Sequence, residues 1–224
     1  MKQLFMGLLC FLMPFKSASQ ENEQVLAAEA IYTGDFFNSF FGGTKQGFGY
    51  MGLIDLSLSL DLNLLGLKGG GAFSVNIQNT HGRSLTGEYV GDIQTISNID
   101  NRNAAYLYQL FYARQTGKVG FLIGKHDLNS EFIASDLGGE YVNSSFGIMP
   151  AVSMNLSPSI FPKTSAALVA SYQANDQISI KAAVYDGNPL DLETDPYGLD
   201  FKMSKEEGFC QLQKQPIPIT KMVR

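Results

Sequence analysis

Tryptophan is absent from this chain of 224 residues, and cysteine and histidine occur only twice each. The two histidines, His81 and His126, show no metal-ligand spacing, and neither a Gly-x-Ser-x-Gly turn nor a glycine-rich phosphate loop is present. We therefore expect no enzyme, no metal site and no bound cofactor. A hydrolase built on Ser84 and His81 is the one catalytic alternative that the sequence leaves open.

Long apolar runs are also missing. No segment after the N-terminus reaches about 18 consecutive apolar residues, the length of a membrane-spanning helix, so the sequence excludes a helical membrane protein. Positive charge is scarce too, with 16 Lys and Arg against 21 Asp and Glu and a formal net charge of −5. This acidic balance argues against nucleic acid as a partner.

The N-terminus has the features of a secretory signal. Lys2 provides a positive start, residues 4–15 are mostly apolar, and residues 17–19 are small, as cleavage requires. Removal of this segment leaves Cys210 as the one cysteine, so no disulfide can form within the mature chain. The sequence thus predicts an exported protein whose signal peptide covers residues 1–19.

Alternation with a period of two is the clearest pattern in the chain. In residues 50–62 the even positions are apolar apart from Gly52, and the odd positions from residue 55 onward are polar. Successive side chains of a strand point to opposite faces, so this segment has one apolar and one polar face. Transmembrane strands need about 9 to 11 residues and alternate in this way. A strand of a soluble β-sandwich shows the same pattern, so this segment alone does not distinguish a transmembrane strand from a soluble one.

Other segments repeat the pattern. Alternation is clear in residues 71–79 and 177–186, and weaker strands are predicted at 25–36, 105–115, 118–126, 166–173 and 198–204. Short connections at residues 62–71, 115–118 and 173–177 contrast with long ones at 80–103 and 127–162. Outer-membrane barrels have short periplasmic turns and long loops on the other side. Tyrosines along the strands and near their ends favour the same class, since they suit an interfacial girdle: Tyr50, Tyr106, Tyr108, Tyr112, Tyr172 and Tyr185.

An ordered set of motifs over residues 25–209 resembles the carbohydrate-selective porins of the OprB family. The motifs are Tyr32-Thr33-Gly34-Asp35-Phe36-Phe37-Asn38, Gly42-Gly43, Asn79-Thr80-His81-Gly82-Arg83-Ser84-Leu85, Glu88-Tyr89-Val90-Gly91-Asp92, Ser97-Asn98-Ile99, Gly124-Lys125-His126-Asp127, Asn129-Ser130-Glu131-Phe132, Asn143-Ser144-Ser145-Phe146-Gly147 and Tyr185-Asp186-Gly187-Asn188-Pro189.

The resemblance implies an all-β protein, an antiparallel transmembrane β-barrel of porin type with sixteen strands. Such a barrel lies in the lipid of a Gram-negative outer membrane, where sugars or small neutral solutes pass it by diffusion. We consider a homotrimer as the assembly of the full-length protein. A soluble periplasmic β-sandwich that binds a ligand is the alternative from a different class.

The C-terminal stretch departs from the family. After Phe209, where another alternating strand is expected, Pro216 and Pro218 are incompatible with a central strand, and the last residue is Arg224 instead of an aromatic one. The chain supplies roughly eight of the sixteen strands. We therefore expect a barrel cut short by a frameshift or premature stop, with three parts: the signal peptide (1–19), a partial porin barrel (20–209) and a tail outside the family (210–224).

A sugar channel needs a polar lumen, a constriction and groups that hold hydroxyls weakly enough for release. For the constriction we predict residues of the two long loops and of the strand end before the first: Asn79, His81, Arg83, Glu88, Asn129 and Glu131. The alternation predicts the pore-lining residues: Asp55, Ser57, Ser59, Asp61, Ser74, Asn76, Gln78 and Lys181. A register slip of one residue would turn each lining residue toward lipid. For the first long loop, a solvated external loop is the alternative.

The spacing Asp127-x-Asn129-x-Glu131 is similar to the start of a calcium loop, in which oxygen ligands alternate. Phe132 stands at the sixth position, where such loops need glycine, and Gly138 stands at the twelfth, where they need glutamate. The sequence therefore disfavours a calcium site.

Overall fold

The computed structural model describes residues 24–92, 95–133, 138–147, 158–175, 178–189, 191–201 and 209–214. The predicted signal peptide and residues 215–224 of the predicted tail lie outside this range. Among the described residues, no helix is long and apolar enough to cross a membrane. The described part of the chain has four short helical turns, at Thr86–Val90, Asn129–Ile133, Gly138–Glu140 and Ser144–Gly147.

Within the described ranges, eight strands form one antiparallel sheet in which neighbours follow the order of the chain. They are β1 (Leu26–Ser39), β2 (Gly47–Asp61), β3 (Ala72–Gly82), β4 (Ala104–Thr116), β5 (Val119–His126), β6 (Ser165–Gln173), β7 (Ser179–Asp186) and β8 (Phe209–Lys214). Among the described residues β1 and β8 do not pair with each other, so the sheet is not closed into a barrel. The prediction of an all-β antiparallel fold is confirmed.

Seven of these strands lie where the alternation predicts them, but the strand predicted at residues 198–204 is wrong over 198–201. The backbone there is irregular, because the Asp195 carboxylate accepts the amides of Leu199 at 3.1 Å and Asp200 at 2.9 Å. Gly198 also has a φ of 65°, which is outside the strand region. Local bonds from a carboxylate to backbone amides compete with strand pairing, and the last strand begins instead at Phe209.

The pair of β2 and β3 separates an apolar from a polar face. In β2 and β3, Leu56 lies opposite Ile77, whereas Ser57 lies opposite Asn76. Directly opposed residues of an antiparallel pair point to the same side. We call the side of Leu56 the outward face and the side of Ser57 the inward face.

The connections divide into two ends of the sheet. The turn end carries residues 62–71, 117–118 and 174–178. The loop end carries residues 40–46 and the three longest connections, residues 83–103, 127–164 and 187–208. This is the asymmetry of short turns and long loops that the sequence predicts for a barrel.

Two aromatic clusters border the outward face. The cluster at the loop end has Phe36 and Tyr50 at a centroid distance of 4.7 Å, and the cluster at the turn end has Phe73 and Tyr112 at 5.1 Å. Exposed aliphatic side chains lie between them: Leu56, Leu58, Ile77, Ile123, Leu168 and Val184. This arrangement is typical of a lipid-facing surface with interfacial girdles.

The spacing of the clusters matches a membrane. Leu60 lies opposite Phe73, so the stretch of β2 from Tyr50 to Leu60 connects one cluster with the other. Its length is about 33 Å at about 3.3 Å per residue. A strand tilt of about 35–45° reduces this to about 23–27 Å along the membrane normal, close to the apolar band of about 25 Å in outer-membrane barrels.

The inward face of β4–β7 is apolar where that of β2–β3 is polar. Ala113, Leu122, Val169 and Ala183 form one row across these strands. The segment that follows β5 packs on this row and contributes Leu128, which is 0% exposed. Both faces of β5 and β6 are therefore apolar along this row, which explains why the alternation of these two strands is weak in the sequence.

A β-bulge also weakens the alternation of apolar and polar residues in β4. Asn76 pairs with Gln109 and Ile77 pairs with Leu107, so Tyr108 is the extra residue. A bulge shifts the alternation by one position. Before the bulge the even-numbered Tyr106 faces inward, and after it the odd-numbered Gln109 faces inward.

Candidate channel wall and constriction

Asp55 is the centre of a hydrogen-bond network on the inward face. Its Oδ1 accepts from Asn76 Nδ2 at 2.5 Å, and its Oδ2 accepts from Gln78 Nε2 at 2.8 Å. Asn76 Nδ2 also donates to Ser57 Oγ at 2.7 Å. The Tyr106 hydroxyl donates to Gln78 Oε1 at 3.1 Å and extends the network to β4. Connected bonds of this kind orient each member, so the wall presents a fixed polar surface.

All eight residues predicted to line the pore share the inward face with Asp55. Ser59 and Ser74 lie opposite each other with their hydroxyl oxygens 3.4 Å apart. Asp61 marks the turn end of β2, where its Oδ1 accepts the backbone amide of Asn63 at 2.7 Å. Lys181 lies on the same face of β7, opposite Ser171 of β6. Contact of these residues with a solute stays a prediction.

Asn79 and His81, predicted at the constriction, lie on the outward face. Asn79 is opposite Ile54 and His81 is opposite Gly52. His81 Nε2 is 3.2 Å from the Tyr32 hydroxyl, and its Nδ1 is 3.1 Å from Asn79 Oδ1. β3 continues to Gly82, past the predicted end at residue 79, so strand alternation still sets the side of both residues. This position does not fit a role at the constriction.

The loop between β3 and β4 folds over the inward face. Tyr89, 1% exposed, packs edge-on against Phe37 of β1 with a centroid distance of 5.0 Å. Ser97 Oγ donates to Asp35 Oδ2 of β1 at 2.5 Å. This loop is therefore held against the wall at the loop end and does not extend away as a free external loop.

Arg83 and Glu88 lie on the exposed surface of this inward-folded loop. Arg83 Nη1 donates to the Tyr89 hydroxyl at 3.3 Å, and Glu88 is near enough to interact with Arg83 electrostatically. Charges of both signs on a loop that is held by the buried Tyr89 suit the rim of a constriction.

The loop between β5 and β6 also folds inward at its start. Asp127 accepts the backbone amides of Asn129 at 3.0 Å and Ser130 at 3.3 Å, so it caps the turn that follows. Leu128 and Phe132 then pack against the wall, with Phe132 edge-on to Tyr185 of β7. Burial raises the pKa of the Asp127 carboxyl from 3.8 to about 6, although the two amides oppose this shift.

The two inward-folded loops are joined to each other. Thr95 Oγ1 and Ser144 Oγ are 2.7 Å apart. Asn98 donates its backbone amide to Val142 O at 2.8 Å and its side-chain Nδ2 to Tyr141 O at 2.7 Å. The loops therefore form one connected structure at the loop end of the sheet.

Asn129 and Glu131, the other predicted constriction residues, belong to the turn capped by Asp127. Glu131 forms an ion pair with Lys181 of β7. The structure thus brings together a predicted constriction residue and a predicted lining residue. In the segment with the calcium-like spacing, the Asp127 carboxylate accepts hydrogen bonds from backbone amides and caps the turn.

Several inward residues escaped the sequence prediction. Tyr106 and Tyr185, both predicted for an interfacial girdle, lie instead on the inward face and are 2% and 0% exposed. Tyr106 is opposite Gln78, so extension of the predicted alternation from β3 to β4 would have found it. His126, whose Nδ1 is 3.0 Å from the Tyr185 hydroxyl, carries no local signal, because it depends on how β5 and β7 are brought together.

These features together define a class of protein. The sheet is an antiparallel meander with a lipid-type outer face, aromatic borders, a polar inner wall and inward-folded loops. This combination defines the wall of an outer-membrane β-barrel channel.

Comparison with known proteins names the family. The family model "Carbohydrate-selective porin, OprB family" matches residues 45–212, and the chain belongs to this family. Among solved structures, the high pH structure of Pseudomonas putida OprB is similar, with a TM-score of 0.72 and 18% sequence identity over 85% of this chain and 47% of that chain. The chain thus spans about half the length of the Pseudomonas putida protein. No curated protein matches it.

Family membership confirms the resemblance and the porin-type fold, and it identifies a protein of the Gram-negative outer membrane. OprB family porins are channels and not enzymes, and neither comparison supports the β-sandwich alternative. The family match ends at residue 212, within β8. The predicted boundary between barrel and tail after Phe209 stays a prediction.

Proposed function

We propose that this chain forms the wall of an outer-membrane channel through which carbohydrates and similar neutral solutes diffuse passively. The network around Asp55 is the observation that carries the proposal. It supplies carboxylate, amide and hydroxyl groups on the face opposite the lipid-type surface, and such groups exchange hydrogen bonds with sugar hydroxyls without covalent chemistry.

The constriction we propose lies along the two joined loops. Arg83 and Glu88 contribute from the first loop, and Asn129 and Glu131 contribute from the second. Asn79 and His81 are assigned instead to the membrane interface, because they belong to the outward aromatic cluster.

Swelling of proteoliposomes in isosmotic sugar tests this function. The purified mature chain, without the predicted signal peptide, is reconstituted, its strand content is checked by circular dichroism, and the rate of glucose entry is followed by light scattering. We expect swelling in glucose that slows in the variants Asn76→Leu and Gln78→Leu, since both remove polar groups from the wall. The matched control is Ile77→Leu on the outward face, which leaves the rate unchanged. Folded protein that admits no sugar would refute the proposal.

For the full-length protein we propose a homotrimer. Chemical cross-linking in outer-membrane vesicles tests it: a band at three times the subunit mass supports the trimer, and a monomer at all cross-linker concentrations contradicts it.

A further inference from the structure

Glu131 and Lys181 place charges of opposite sign side by side on the inward face. Lys181 Nζ contacts Glu131 Oε2 directly, and the side chains of Lys181 and Glu131 are 36% and 29% exposed, respectively. The described residues contain one further ion pair, between Lys163 and Asp191, and this pair joins two loops. Of these two ion pairs of the described residues, the Glu131–Lys181 pair connects an inward-folded loop with a strand of the wall.

Packing fixes the position of Glu131 independently of the lysine. Leu128, fully buried, anchors the segment before it, and Phe132 packs against Tyr185 directly after it. The Asp127 cap holds the same turn. The carboxylate of Glu131 is therefore held near the wall even when the charge on Lys181 is removed.

The surroundings of the pair suit a small polar solute. A cavity of about 370 Å³ lies beside it, within the range of about 300–1,000 Å³ typical of small-molecule sites. Gln115, Ser171 and Lys181 contribute to its lining from β4, β6 and β7, and Asp61 contributes from β2. These groups can exchange hydrogen bonds with hydroxyls or with a carboxylate.

We propose that Glu131 and Lys181 form a charge-compensated contact for solutes, and that this compensation makes the channel favour neutral sugars over sugar acids. The inference rests on the proposed channel function and identifies the residues that set its charge selectivity. Neutralising either partner leaves the charge of the other, so the two single substitutions change selectivity in opposite directions. A lysine without the neighbouring carboxylate attracts the carboxylate of a sugar acid.

Uptake of glucose and of gluconate by proteoliposomes tests the proposal, together with the reversal potential in a salt gradient. Glu131→Gln is expected to raise the gluconate-to-glucose ratio by about two- to fivefold, the effect of one unit charge a few ångströms from the solute in a high dielectric. Lys181→Gln is expected to lower this ratio and to shift the reversal potential toward cations.

Two controls separate charge from structure. The double variant Glu131→Lys with Lys181→Glu restores both charges in exchanged positions and is expected to return the ratio to the wild-type value. Lys68→Gln removes a charge of the same sign in the exposed turn between β2 and β3, outside the two loops and outside the cavity lining, and is expected to leave the ratio unchanged.

The outcomes distinguish this inference from the function on which it rests. If the wild-type chain admits glucose but both single variants behave like Lys68→Gln, the inference is overturned and the channel function stands. If the wild-type chain admits no solute, the channel function fails and the inference fails with it. If a variant does not fold, the wild-type pair is tested by carbodiimide coupling, in which the two side chains form an amide and the reagent takes up the water. Absence of that cross-link in peptide mass spectra overturns the inference.

Discussion

Gln78 Nε2 donates a hydrogen bond to Asp55 Oδ2 over 2.8 Å, directly across β3 and β2 on the inward face. Asp55 thereby carries its negative charge at a fixed place on the proposed channel wall. Because a fixed carboxylate attracts cations and repels anions, this pair leads to a first prediction about ion selectivity.

The substitution Asp55→Asn is expected to reduce the preference of the channel for cations. A unit charge 4–8 Å from a passing ion contributes about 0.5–1 kcal/mol at the dielectric constant of water, which corresponds to a change of about two- to fivefold in the permeability ratio. Reversal potentials in a salt gradient measure the change. Asp191→Asn in the loop after β7 is the matched control, and an equal shift in both variants would contradict the assignment of Asp55 to the lumen.

The outward position of His81 predicts a variant with normal transport. His81→Ala removes a ring that stacks on Tyr32 at a centroid distance of 5.9 Å, and aromatic pairs contribute about 0.5–1.5 kcal/mol. We expect a small loss of stability against urea and an unchanged rate of sugar uptake. A slower or faster uptake in this variant would return His81 to the constriction.

Leu128→Ala tests whether packing holds the second loop inside the channel. Loss of a fully buried leucine costs about 2–5 kcal/mol, so the segment after β5 is expected to leave the wall more often. The expected results are a larger single-channel conductance and faster proteolysis within the loop. Leu65→Ala in the turn after β2, where the leucine is 50% exposed, is the control, and equal effects in both variants would argue against an inward-packed loop.

The raised pKa of the Asp127 carboxyl predicts that the free energy of unfolding depends on pH through the packing of the same loop. This pKa is raised from 3.8 to about 6 in the folded protein, so the folded state binds the proton more tightly than the unfolded state does. The stabilising effect is complete below pH 3.8 and is lost as the pH rises through about 6. A shift of this size corresponds at most to about 3 kcal/mol.

Urea titrations at pH 4 and pH 7 measure this dependence. Asp127→Asn keeps an oxygen acceptor for the capped turn but cannot ionise. The wild type is expected to lose more unfolding free energy between the two pH values than this variant loses. An identical pH profile for both proteins would rule out Asp127 as the titrating group.

The sequence reveals the parts of this fold whose two faces meet different surroundings. In β2, β3 and β7 one face is of the lipid-facing type and the other carries polar groups such as Ser57, so the alternation is legible. In β5 and β6 the segment around Leu128 covers the inward face, both faces are apolar, and the pattern weakens. The position of that segment depends on contacts between distant residues, which local patterns do not contain.

The same limit applies to the site. The lining residues of β2 and β3 follow from alternation, whereas the sides of Asn79 and His81 depend on where β3 ends. The pairing of Glu131 with Lys181 depends on the inward fold of a loop, and the local sequence around neither residue predicts this pairing.

Thiol modification at neighbouring positions of β2 tests directly whether the inward face of the sheet is the wall of a sugar channel. Ser57→Cys and Leu58→Cys are made in a Cys210→Ser background, reconstituted, and treated with a bulky water-soluble thiol reagent while glucose uptake is followed. Modification at position 57 is expected to slow glucose uptake, whereas position 58, on the lipid-facing side, is expected to stay unmodified and to leave uptake unchanged. Blocked uptake at position 58 with free uptake at position 57 would contradict this assignment of the two faces.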